Sequence, residues 1–98
     1  MTINTIENNG EFTISLEGRL DTQTAPVLEK ELDALLDQCE NIVLDLEFLE
    51  YVSSAGLRVI LKLQKIMQKK GKLKLIHEND TIMEVFEITG FVDILTIE

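Results

Sequence analysis

One cysteine, one histidine and nine basic residues are little for a chain of 98 amino acids, and each shortage excludes something. Cys39 alone can close no internal disulfide, so packing must hold the fold, as expected of a protein kept in the reducing cytoplasm. It lies near the expected end of a helix, where packing or partial exposure suits it better than chemistry. The single His77 leaves little scope for histidine-based acid–base or metal chemistry. No His, Cys or acid cluster has ligand spacing, so neither a metal nor a cofactor is expected. No apolar run approaches the roughly 20 residues of a membrane span. The start, "MTINTIENNG", has neither a basic region nor an apolar run, so no secretory signal is expected. Low-complexity segments, internal repeats and linkers are missing too. One domain over residues 1–98 with one modest core follows.

Bases are scarce and also badly distributed. Eighteen acids against nine bases give a net charge of −9, which argues against nucleic acid. Residues 1–50 hold twelve acids and only Arg19 and Lys30 as bases. The other seven bases, from Arg58 to Lys74, form a local basic stripe on an acidic body. Such a pattern suits protein partners that read charge. A solvated helix face is the plainer reading for most of these lysines.

What is present alternates between two periods. "TINTIEN" and "EFTISLEG" read as strands, and "NNG" between them as a hairpin turn. "DTQTAPVLEKELDALLDQC" reads as a helix, capped by Asp21, Thr22 or Thr24, with Pro26 in its first turn. Val27, Leu28, Leu32, Leu35 and Leu36 form its expected apolar face. "NIVLDL" lacks strong alternation and reads as a strand buried on both sides. Residues 54–70 read as a helix with Arg58, Lys62, Lys65 and Lys69 on one face and Ile60, Leu63 and Met67 in the core. "KLKLIH" reads as a strand. Asn79 or Asp80 caps a helix over "TIMEVFEIT", Gly90 ends it, and "DILTI" reads as a last strand. Helices between strands imply parallel pairing with right-handed crossovers. The expected fold is therefore α/β, a mixed sheet of about five strands packed against about three helices. Its first hairpin supplies the antiparallel edge.

The stretch "LEYVSSAGLRVIL", residues 49–61, places small hydroxyl residues at a strand-to-helix junction. A nucleophile elbow would need glycine where Val52 stands. Its only available base is His77, with Asp80 to orient it, and the chain is small for a substrate pocket. A phosphate-binding loop would need more glycines and a lysine. A helix cap by Ser53 or Ser54 explains one serine but not why the whole turn stays small and open. The fourth reading is modification by another enzyme. A phosphate at a helix N-terminus meets free N–H groups and a favourable dipole, so the fold would survive it. A partner surface would not, because phosphoserine brings roughly −1.5 to −2 charges.

"GRLD" (18–21), "TAP" (24–26) and "IVLDLEFLEYVSSAGLRVIL" (42–61) resemble STAS domains, and the resemblance covers nearly the whole chain. Its most specific part runs from Asp45 to Leu57. A stand-alone chain of this size resembles the bacterial anti-sigma factor antagonists of that family. The resemblance implies a switch protein with no catalytic site. Unphosphorylated, it would bind an anti-sigma factor that is also a serine kinase, which would free the sigma factor for transcription. That kinase would phosphorylate Ser54, and a metal-dependent serine phosphatase would reverse it. Asp21, Ser53, Ser54, Gly56, Leu57, Arg58 and Leu61 are the implied contact residues. Leu57 and Leu61 have core packing, and Arg58 simple solvation, as rival roles. Two departures stand out. Ser53 occupies a position that is often aspartate, which leaves Ser53 as an alternative phosphosite. The sequence also stops after its last strand, where many members add a helix, so a partner or a second copy in a homodimer is expected to cover the exposed part. Two other readings remain: a non-phosphorylated STAS interaction subunit of a transport or sensory complex, and, remotely, a small serine hydrolase.

Overall fold

The computed structural model describes all residues from Met1 to Glu98. Strand β1 (Thr2–Asn8) and strand β2 (Glu11–Leu20) form the expected antiparallel hairpin, with Asn8 opposite Glu11. Asn9 and Gly10 between them have φ of 54° and 86°, the paired positive values of a two-residue turn whose twist matches the strands. Helix α1 (Ala25–Leu35), strand β3 (Asn41–Val52), helix α2 (Ser54–Met67), strand β4 (Lys72–Ile76) and helix α3 (Asp80–Thr89) follow. A turn of 3-10 helix (Phe91–Asp93) and strand β5 (Thr96–Ile97) end the chain described.

The sheet order is β1-β2-β3-β4-β5, with every pair after the hairpin parallel. An order that never reverses, joined by right-handed crossovers, sends every helix to the same face. Burial agrees. Phe12, Ile14 and Leu16 of β2, Ile42, Leu44 and Leu46 of β3, and Leu73 and Leu75 of β4 are buried, while their alternate neighbours are not. The expectation that "NIVLDL" is covered on both sides is therefore corrected. Val43 and Asp45 lie on the open face, and the strand alternates from Asn41 to Leu46; beyond that, two register shifts against β2 leave Leu49 and Val52, three residues apart, as the buried positions. A sheet without a reversal point also lacks the crevice where doubly wound folds bind small ligands.

Two other expectations change. Val27 is 52% exposed, because it lies about 100° around α1 from Leu28, and Ala25 takes its place beside Leu28, Leu32 and Leu35. The last strand shrinks to two residues. After Gly90 turns the chain with φ of 80°, Phe91 stacks on Phe86 at 6.5 Å, and the N–H groups of Ile94 and Leu95 go to the Phe91 carbonyl instead of a strand.

Candidate functional site

Strands β2 and β3 run parallel and finish level, with Leu20 opposite Val52. The pairing continues one step, as Ser53 N–H donates to Leu20 O at 2.9 Å. The chain leaving β2 and the chain entering α2 are thus side by side, which brings Asp21 next to Ser53 and Ser54. Asp21 is pinned. One carboxylate oxygen accepts from the N–H of Gln23 (3.0 Å) and of Thr24 (3.1 Å). Thr24 Oγ1 accepts from Asp21 N–H at 2.8 Å and donates to Arg19 O at 2.7 Å. The Thr24 N–H, before any other group, holds the Asp21 carboxyl below its ordinary 3.8, so it stays ionised. Arg19 lies 4.2 Å over the Tyr51 ring and reaches Asp21 at 3.9 Å.

The two serines separate into two roles. Ser53 has the extended backbone of an N-cap, and its Oγ accepts from Gly56 N–H at 3.3 Å. Ser54 is the first helical residue, is exposed, and its hydroxyl has no hydrogen-bond partner in the chain. Gly56 is buried where α2 crosses the end of β2. A Cβ there would lie 2.6 Å from Leu20 Cγ and 3.0 Å from Leu20 O, so only glycine permits the approach. Leu57 is 8% exposed and belongs to the core; the expectation of a contact residue is corrected, since the side chain braces the turn from below. Arg58 is exposed and Leu61 half-buried. Ser54, Arg58, Leu61 and Lys65, at offsets of 4, 7 and 11 residues, fall in one stripe along α2.

The residues of a hydrolytic triad do not meet. His77 Nδ1 is 2.9 Å from Asp45 Oδ1, a bond that raises the imidazole pKa above its ordinary 6.5. Asp45 lies opposite Ile76, and Val52 is seven positions further along β3, about 23 Å at the rise of a strand. Asp80 sits in the first turn of α3. Sequence reasoning missed Asp45, Thr24 and Arg19 as supporting residues. The Thr24 brace had a local signal, a hydroxyl three residues after an aspartate. The Asp45–His77 pair had none, because it depends on strand register. No group of three or more His, Cys, Asp or Glu residues is placed to hold a metal ion. No helix is long and apolar enough to cross a membrane.

The family profile of the STAS domain matches residues 2–98. The chain is 42% identical over 91 residues to BtrV of Bordetella bronchiseptica, named as a candidate anti-sigma factor antagonist, covering 91% of this chain and 78% of that one. It is 32% identical over 92 residues to the anti-sigma-B factor antagonist of Bacillus subtilis, covering 93% and 84%. Among solved structures, unphosphorylated SpoIIAA superposes with a TM-score of 0.83 at 18% identity over 99% of this chain and 88% of its own. The phosphorylated form of the Bacillus protein gives 0.78 at 17%, over 99% and 91%. At those identities the structures speak to the fold.

Proposed function

The chain belongs to the STAS domain family, and we propose that within it this protein is an anti-sigma factor antagonist switched by phosphorylation of Ser54. The relatives' names support the first half. The observation that carries the second is the division of labour between the serines. Ser53 caps α2, which leaves the Ser54 hydroxyl exposed, unpartnered and free for another protein's chemistry. A phosphate on Ser53 would sit on the oxygen that now accepts from Gly56 N–H, whereas the Ser54 hydroxyl makes no bond to disturb.

The partner is then an anti-sigma factor with serine kinase activity, and a metal-dependent phosphatase resets the switch. Its surface contacts are Asp21, Ser53, Ser54, Arg58 and Leu61, with Gly56 and Leu57 shaping the turn beneath. The protein itself carries out no catalysis and works in the cytoplasm. Unpaired burial of a dianionic phosphate in an interface costs several kcal/mol, enough for a hundredfold loss of affinity without refolding. The Ser53 cap speaks against reading Ser54 as a mere helix cap in a passive subunit.

Intact-mass measurement and peptide mapping of the protein from its own cells, under two growth conditions, test this. A phosphoryl group on Ser54 whose fraction changes with condition is expected. Finding it on Ser53 would keep the switch and move the residue. Its absence from both serines under every condition would favour the passive interaction subunit.

A further inference from the structure

The stripe headed by Ser54 borders a groove between α1 and α2, with Pro26 on one wall and Ala55, Val59 and Ile66 on the other. Cations line its rim, but they are not equivalent. Lys62 is engaged by Glu29 at 2.7 Å and by Asp33 at 4.0 Å. Arg58 and Lys65 make no ion pair in the chain, although acids outnumber bases two to one. At physiological salt, charge is felt over about 8 Å, so an approaching group senses these two free cations and not the net charge of −9.

We propose that this groove docks an acidic, amphipathic helix of the protein partner, its carboxylates meeting Arg58 and Lys65 and its apolar side chains entering beside Ala55, Leu61 and Ile66. This deepens the reading above by naming the chemistry of the partner, and it takes from that reading only that the Ser54 face is the contact face. A helix fits because the groove lies between helices, and no strand edge borders it; the sheet edges are β1 and β5. An acidic segment fits because it satisfies both free cations, and the half of the chain over residues 1–50, with twelve acids and two bases, repels it from that side. Ser54 and Arg58 are four residues apart, neighbours on α2. A phosphate on Ser54 therefore competes with the partner's carboxylate for the Arg58 guanidinium, besides repelling it.

The test is photo-crosslinking in the protein's own cells. The full chain carries p-benzoylphenylalanine at Leu61 or, should that position perturb folding, at the exposed Thr22 across the groove. The attached peptide is then sequenced. An acidic peptide with helical apolar spacing is expected, and its yield should fall at least tenfold in the Arg58→Glu, Lys65→Glu double variant. A neutral or basic peptide, a nucleic-acid adduct, a yield indifferent to charge reversal, or no adduct from either position would overturn the proposal. Its failure is separable from that of the function. An acidic helix from a protein that is not an anti-sigma factor keeps the docking chemistry and removes the function. An anti-sigma factor captured through a non-acidic peptide does the reverse.

Discussion

Two adjacent serines with the same side chain face opposite demands, and their substitutions should separate them. Ser53→Ala removes the acceptor for Gly56 N–H and should destabilise the fold by about 1 kcal/mol, read from urea denaturation midpoints. Ser54→Ala removes a hydroxyl with no partner and should stay within about 0.5 kcal/mol of the parent. Equal losses would mean that Ser54 shares the cap and is not free for modification. Gly56 is the steric counterpart. Its conformation is ordinary helix, so an alanine suits the backbone, yet the new Cβ would press 2.6 Å from a Leu20 side chain that is fully buried and cannot move aside. Gly56→Ala should therefore cost about 1–3 kcal/mol. A neutral result would show that α2 can lift off the end of β2. Such a lift would also displace Ser54 from the position argued for it.

At the scale of elements, the parallel register of β3 and β4 makes a pair that neither strand implies. Asp45 opposite Ile76 puts the next residue, His77, within 2.9 Å of the Asp45 carboxylate on the open face. As the only histidine, it gives one imidazole signal to follow by NMR. That signal should titrate above 6.5 in the parent and move down in Asp45→Asn. The sign of the linkage follows: a histidine whose pKa is raised by folding stabilises fully below 6.5, and that contribution fades as pH rises through the folded value. The difference in urea midpoint between parent and Asp45→Asn should thus be larger at pH 6 than at pH 8; the opposite order would mean that the bond does not favour the protonated ring. The same dependence on register explains what the sequence could and could not reveal. The hairpin, the three helices and the caps of α2 and α3 follow from local signals: Asn9-Gly10, Ser53, Asn79 and Gly90; α1 begins after Thr24 with no side-chain cap, and Asp21 braces the turn before it. The one-sided burial of β3 did not, because Val43 on the open face makes "NIVLDL" look continuously apolar, and only the sheet order says which face is bare. The shortening of β5 goes with the turn after Gly90 and the Phe86–Phe91 stack, a contact that periodicity does not announce. At the site, the turn offered two serines and the family resemblance chose Ser54, whereas its independence from the cap needed the Ser53–Gly56 bond, and the core position of Leu57 needed the packing beneath α2.

The whole molecule must hold eighteen acids in a body of 32 × 26 × 20 Å. The Debye length is about 30 Å at 0.01 M ionic strength and about 8 Å at 0.15 M. In dilute buffer every carboxylate therefore feels the net charge of the entire body. At physiological salt it feels only its neighbours. The neighbours include opposing cations, but the ion pairs of Arg19, Lys62 and Lys74 join exposed or partly exposed groups at 2.7–4.0 Å, where solvent screens the attraction and little stability results. Unfolding relaxes the long-range repulsion by spreading the charges apart. Raising sodium chloride from 0.01 to 0.15 M, at constant pH near 7, should consequently raise the thermal midpoint, because screening removes more repulsion than attraction. Charge reversal locates the effect. Arg58→Glu with Lys65→Glu deepens the net charge without breaking any ion pair, so it should lower the midpoint in dilute buffer and enlarge the gain from salt. A midpoint that falls with salt in the parent would mean that the Lys62–Glu29–Asp33 cluster outweighs the sum of the repulsions. The acidic body would then be a source of cohesion between helices α1 and α2, and not the strain that two unpaired cations on α2 partly offset.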